Sequence, residues 1–148
     1  MNAVPRSGAR GTTLADRGTV SCTVQDAGQF VQAIVGRGPT HTIVDCYQEL
    51  VSLCTEHHLE RALVVSLDAD ATTHAAMAEA IEAMAQAGLA PRFKLAMLSE
   101  FPETFGVYQA AEEAAARKGI AARAFRARRA AVEWLLGDLP RERRWRTS

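Results

Sequence analysis

Cys54, His57 and His58 lie three and four positions apart, a spacing that lets metal-ligating side chains share one face of a helix. Adjacent residues on a helix point about 100° apart, however, so the two histidines cannot easily join the cysteine on one ion. The simpler reading makes Cys54 a small buried residue continuing the apolar positions Tyr47 and Val51. No metal or other cofactor is expected. His41 and His74 have no identifiable partner in the sequence and read as solvent-facing residues in the first turns of helices. A second group, Asp68, Asp70, Thr72 and Thr73, follows directly on the apolar run Ala62-Leu63-Val64-Val65. Carboxylates and hydroxyls at a strand exit serve either a reacting centre or, more plainly, the capping of the next helix. No glycine-rich phosphate loop follows an apolar run, and no Gly-x-Ser-x-Gly elbow occurs, so neither nucleotide binding of that kind nor a serine hydrolase has a motif to rest on.

The elements that must position these residues follow from periodicity. Thr19 to Val24 and Phe30 to Val35 are rich in strand-forming residues and read as a β-hairpin. Thr40 or Thr42 is expected to cap a helix that carries Ile43, Tyr47, Leu50, Val51 and Cys54 at helical spacing to about His58. Arg61 to Leu67 reads as a central strand buried on both faces. A second helix, with Met77, Ile81 and Met84 inward, is expected to begin after Asp70, with Asp70 as its cap, and to end at Gly88. Phe93 to Leu98 is a strand, and Phe101-Pro102 opens a third helix through Phe105, Tyr108, Ala111 and Ala115. Ile120 to Phe125 is the last strand, and Arg128 to Leu136 a final helix with Val132, Leu135 and Leu136 inward. The fold class is therefore α/β, a single domain with a mixed five-stranded sheet: an N-terminal hairpin, then α-β-α-β-α-β-α.

Domain boundaries are expected at 1–17 (flexible leader), 18–137 (the α/β domain) and 138–148 (basic tail). The 148 residues suffice for one core without staples. Lysine plus arginine (17) balances aspartate plus glutamate (17), so no global field recruits nucleic acid or an anionic membrane. The tail, with Arg141, Arg143, Arg144, Trp145 and Arg146, is a small basic patch from which no specific nucleic-acid binding is expected. Three cysteines, an odd number placed in regular elements, argue for a reducing compartment. With no apolar run long enough to span a membrane, a cytoplasmic protein is expected.

The stretches Arg92 to Leu98, Phe105-Gly106-Val107-Tyr108-Gln109-Ala110, Gly119 to Phe125 and Ala131-Val132-Glu133-Trp134-Leu135 form a further pattern. A strand, an alanine-rich helix, a strand ending in phenylalanine and a helix with Ala-x-x-Trp-Leu follow one another. With the preceding elements, this resembles the STAS superfamily of sulfate-transporter and anti-sigma-factor-antagonist domains, in particular small stand-alone bacterial members with the SpoIIAA-like fold. The resemblance spans about Thr19 to Leu136 and rests mostly on core residues, which specify fold more than activity. It implies a non-enzymatic regulatory or interaction module in bacterial signalling that binds a protein or small-molecule partner. In phosphorylatable antagonists of the superfamily a serine or threonine follows an aspartate in the turn between a strand and the next helix. The matching place here makes Thr72 and Thr73 the phosphoacceptor candidates. Remote similarity to Sec14-like lipid-binding domains adds a small-ligand or lipid carrier or sensor as an alternative, one that a cavity lined by Met97, Phe101, Phe105 and Tyr108 would favour.

Leu63 to Thr72 is also similar to the haloacid-dehalogenase phosphatase pattern of an apolar strand followed by Asp-x-Asp-x-Thr. That resemblance implies Asp68 as nucleophile, Asp70 as acid and base, and magnesium on the phosphate, with Ser99, Lys118 and Asp138 as the nominal remaining parts. The pattern normally follows the first strand, whereas here a hairpin and a helix precede it. Lys118 also falls at a helix C-terminus, where a cation is expected anyway. The non-enzymatic reading therefore leads. Parallel strands present adjustable turns at their carboxyl ends, so a partner surface is expected at Asp68, Asp70, Thr72 and Thr73 and at Ser99, Glu100, Phe101 and Glu103. Self-association into a homodimer through the hairpin edge or an exposed helix is the remaining partner expectation.

Overall fold

The computed structural model describes residues 20–25, 28–36, 39–68 and 72–137. The expected leader and basic tail lie outside the described residues, as do Asp70 and Asp138. The element order is β1 (Val20–Gln25), β2 (Phe30–Val35), α1 (Thr40–Glu56), β3 (Arg61–Ser66), α2 (His74–Gln86), β4 (Lys94–Leu98), α3 (Pro102–Arg117), β5 (Ala121–Phe125) and α4 (Arg128–Leu136). The chain is an α/β domain. β2, β3, β4 and β5 pair in parallel in sequence order, and β1 runs antiparallel beside β2, with Val20 opposite Val35 and Gln25 opposite Phe30.

Parallel neighbours need a crossover, and each crossover here advances one strand in the same direction, which places helices of like-handed crossovers on one face. One core cluster accordingly joins Ile43, Tyr47 and Leu50 of α1, Met77 and Ile81 of α2 and Tyr108 of α3 to Ala62, Val64, Leu95 and Met97 of the sheet. The alternate strand residues Phe30, Leu63, Ala96 and Leu98 face the other way and pack with Ala131, Leu135 and Leu136 of α4. β3 is buried on both faces, as its apolar run implies. β5, at the edge, is only half-buried. Its Ala124 N–H donates to Glu112 Oε2 of α3 at 2.5 Å, which covers one of the backbone groups that an edge strand leaves open.

Two helix starts differ from the sequence expectation. The N-cap of α1 is Pro39, with no side-chain cap, because Thr40 and Thr42 already stand inside the first turn. The Pro39 carbonyl accepts from the Thr42 and Ile43 N–H groups instead. α2 begins at His74 rather than directly after Asp70, and its cap is Thr73, whose Oγ1 accepts from Ala76 N at 3.1 Å. The helix ends follow one scheme. After α3, Gly119 N–H donates to Ala116 O and Ile120 N–H to Ala115 O; after α1, His58 N–H donates to Thr55 O and Leu59 N–H to Cys54 O. Gly88 and Gly119 occupy the left-handed position after α2 and α3, but after α1 a histidine does, with φ of 57°.

The carbonyl end of α4 is held by cations from the sheet. Arg61 Nε donates to Leu135 O at 2.7 Å and Lys94 Nζ to Trp134 O at 2.8 Å, with the Lys94 ammonium 4.9 Å from the centre of the Trp134 ring. The last carbonyls of a helix lack intrahelical partners and carry partial negative charge, so two cationic donors there stabilise α4 on an otherwise lightly covered face. Arg61 is only 7% exposed. Its contribution therefore exceeds that of the exposed Arg129–Glu133 pair, which solvent screens.

Arg61→Ala is expected to cost about 2–3 kcal/mol in urea unfolding, the range for removing a charged hydrogen-bond donor from a buried acceptor. Glu133→Ala should shift the transition little. His58→Gly is expected to stabilise the fold by up to about 1 kcal/mol by relieving the left-handed strain, read as a higher midpoint at unchanged slope.

Candidate functional site

The turns that leave β3 and β4 meet over the carboxyl ends of the parallel strands. Thr104 Oγ1, on the first turn of α3, donates to Asp68 O at 3.4 Å and so ties the turn after β3 to the start of α3. Ser99 is buried: its Oγ accepts from Phe101 N at 3.1 Å and its own N–H donates to Phe125 O at 3.0 Å. This hydroxyl shapes the turn. Arg126, just past β5, donates from Nη2 to Glu100 O at 3.4 Å and lies over the Phe105 ring at 5.5 Å. Three consecutive strand exits thus share one surface. Its outward groups are the exposed Thr73, Glu100 and Glu103, with Asp68 and Phe101 half-buried.

Sequence reasoning missed Leu67. It reads as the flank of a buried strand, yet its side chain is 58% exposed while its N–H is fixed to Val35 O at 2.8 Å. It is the exposed large hydrophobic among the described residues, and it stands next to Asp68. A solvated leucine on its own is ordinary; at the exit of β3, beside Asp68, it adds an apolar group to an otherwise polar turn.

The two phosphoacceptor candidates are placed differently. Thr73 is exposed but its Oγ1 is engaged as the α2 cap. Thr72 is 7% exposed, and its Oγ1 has no hydrogen-bond partner among the described residues. Beneath this edge lie more buried hydroxyls. Tyr108 and Ser66 hydrogen-bond through their hydroxyls, Ser66 Oγ donates to Leu98 O at 3.3 Å, and Tyr47 Oη sits beside Tyr108 without a well-oriented partner. Burial pushes the Tyr108 phenol up to about 12, with the hydrogen bond to Ser66 opposing and Cys46 adding to the rise. Burial likewise raises Tyr47 well above the ordinary tyrosine value, reinforced by Tyr108 and Cys46.

The parts of the phosphatase pattern do not converge among the described residues. Lys118 caps the C-terminus of α3, at the opposite end of the sheet from Asp68, and pairs with Glu82 of α2 at 2.6 Å, which holds the Glu82 carboxyl below its usual range. Ser99 Oγ is committed to its own turn. Cys54, His57 and His58 also separate: Cys54 is buried with Sγ directed at Arg61 O at 3.7 Å, while both histidines are exposed. No group of three or more His, Cys, Asp or Glu among the described residues is placed to hold a metal ion, and no helix among them is long and apolar enough to cross a membrane. Met97 and Tyr108 are fully buried in the main core, so two of the four side chains proposed as cavity lining are packing residues.

A groove of about 370 Å³ does exist, but at the other end of the sheet. It is lined by Val51, Cys54, Leu59, Glu60, Leu89 and Phe93, among others, from the ends of α1 and α2 and the loops that enter β3 and β4. In the sequence its only trace is the apolar residue directly after each helix-ending turn, Leu59 after His58 and Leu89 after Gly88.

The chain matches no protein-family model, no curated protein and no solved structure.

Stability is expected to fall steeply in alkali. A tyrosine held protonated more tightly in the folded state contributes stability that is fully present below its unfolded value near pH 10 and lost as pH rises towards about 12. Urea midpoints measured from pH 8 to 11.5 should show this decline. Tyr47→Phe should reduce the decline and leave neutral-pH stability equal or higher, because it removes a buried hydroxyl whose neighbour, Tyr108, is not well oriented to bond it.

Proposed function

We propose that the chain is a non-enzymatic, STAS-like regulatory module that binds a partner protein through the turns at the carboxyl ends of β3, β4 and β5. The observation that carries this reading is the joined edge itself: Thr104 to Asp68 and Arg126 to Glu100 link three strand exits, the first of which carries the exposed Leu67. Exposed Leu67, Thr73, Glu100 and Glu103 lie on the turns of this edge, the mix of apolar and polar groups that a small recognition patch uses. The succession of a hairpin and alternating helices and strands, on which the STAS resemblance rests, supports the same reading, as does the SpoIIAA-like mixed sheet that resemblance implies. Thr72 and Thr73 stand beside the patch, so phosphorylation there would place charge at the partner surface.

The carrier reading is weaker here because Met97 and Tyr108 pack in the core rather than lining a cavity with Phe101 and Phe105. The phosphatase reading through Asp68 and Asp70 is weaker because Lys118 stands at the far end of the sheet, paired with Glu82.

Cross-linked capture from the native host, combined with native mass spectrometry of the purified chain, tests the proposal. A partner retained by the wild type, lost on Leu67→Asp and on Glu103→Arg, and kept by the distant Glu82→Ala is the expected result, with melting temperatures near the wild-type value. A co-purified small-molecule mass with no such partner would move the assignment to a carrier. Phosphatase turnover abolished by Asp68→Asn would move it to an enzyme.

A further inference from the structure

The four helices are not equally secured. α2 starts on a side-chain cap from Thr73, and α3 carries Glu103 in its first turn and Arg117 in its last, each charge matched to the helix field. α1 lacks a side-chain cap, but its seventeen residues bury a continuous stripe from Ile43 to Cys54. α4 has neither kind of support. Ala127 stands at its cap position without a side-chain bond, its first turn holds Arg128 and Arg129 and no acid, and its last turn holds no basic residue. Cations at the positive end of a helix work against it. With nine residues α4 is also too short to persist alone, and it buries three side chains, Ala131, Leu135 and Leu136, against five each on α2 and α3. It is held from outside, by Arg61 and Lys94 on its last carbonyls and by the Arg128 bond to Gln32.

We propose that α4 is a hinged cover, one that leaves the sheet as a unit while the five strands and α1 to α3 stay folded. Its attachments suit release. On opening, the Arg61 guanidinium, 7% exposed when closed, returns to water together with the carbonyl it served, which relieves its desolvation and offsets part of the lost contact. The hinge is the turn Arg126-Ala127. Arg126 is anchored on the α3 side, through Nη2 to Glu100 O and over the Phe105 ring, and Ala127 is extended with φ of −132° and ψ of 136°. Rotation after Arg126 therefore moves α4 without disturbing the strand exits. It uncovers one apolar strip, Phe30, Leu63, Ala96 and Leu98, across β2, β3 and β4. The larger cluster under α1, α2 and α3 lies on the other face and keeps its packing. Openings short of global unfolding select elements with few buried apolar contacts, and α4 is that element here. The exit turns keep their links in the open form, so the inference goes beyond the partner proposal and does not rest on it.

Thiol labelling of the full chain tests it. Ala96→Cys places a thiol under α4, whereas the native Cys46 is buried in the larger cluster on the opposite face. Cys22→Ala and Cys54→Ala remove the other two thiols. With dithiobisnitrobenzoate, and labelling resolved by peptide mass, position 96 is expected to react at least about tenfold faster than Cys46. Its urea dependence should be finite but well below that of global unfolding. Wild-type hydrogen exchange supplies a measurement that needs no substitution: amides at 131–136 should exchange through the same opening, and those at 62–65 only with global unfolding. One rate and one urea dependence for position 96 and Cys46 would show that α4 leaves only when the whole domain unfolds, and overturns the proposal. Rapid exchange at 131–136 without urea dependence, with position 96 still protected, overturns it as well, because α4 would then fray in place rather than lift.

Discussion

The constraint from which the rest follows is the sequential parallel order of β2, β3, β4 and β5. Because each crossover advances one strand in the same direction, α1, α2 and α3 share one face and bury it in a continuous apolar cluster. Among the described residues the other face is covered by α4, whose nine residues bring Ala131, Leu135 and Leu136 fully into the contact. An α-helix this short is marginal in water and depends on tertiary contacts. That is why its carbonyl end is clamped by Arg61 and Lys94 while its first residue, Arg128, reaches Gln32 of β2 at 2.5 Å. A buried guanidinium needs its donors satisfied, and the unpartnered carbonyls of a helix end are among the few acceptors that this face supplies.

The same order separates the molecule into two unlike ends. At the strand exits α2 and α3 begin, and hydroxyl-bearing turns are linked by side-chain-to-backbone bonds from Thr104, Ser99 and Arg126. At the strand entries the helices terminate in left-handed turns, and Leu59, Leu89 and Phe93 surround a groove. Polar groups also penetrate beneath the exit end. Tyr108 meets Ser66 there, Tyr47 Oη has Tyr108 beside it without good orientation, and Thr72 Oγ1 has no partner among the described residues.

Much of the fold was legible because burial imposes periodicity. Ile43, Tyr47, Leu50, Val51 and Cys54 recur at helical spacing and all are buried, and Ala62 to Val64 form the continuous run of a strand covered on both faces. Gly88 marked a left-handed helix end, and Pro102 a helix start. What could not be read depends on contacts distant in the chain. Thr40 and Thr42 look like caps in isolation, but Pro39, already extended, takes that position, and the threonines enter the first turn. Arg61 looks like a polar strand flank, because the acceptor that makes it a buried residue lies 74 positions away. Leu67 looks like part of the strand until the chain turns at its end. Of the expected site residues, Asp68, Ser99, Glu100 and Phe101 do converge on one edge, since strand exits in a parallel sheet must, while Asp70 lies outside the described residues.

The two ends also differ in electrostatic character, and this bears on what each can bind. Helix starts present free N–H groups and partial positive charge, yet the rim there carries Glu100 and Glu103, so the local acids offset the helix field rather than strengthen it. With Arg126 alongside, the rim is mixed in charge, which suits the protein partner proposed above. At the helix ends cations stand instead: Arg61 and Lys94 meet the last carbonyls of α4, and Lys118 closes α3, so the helix field is offset there as well.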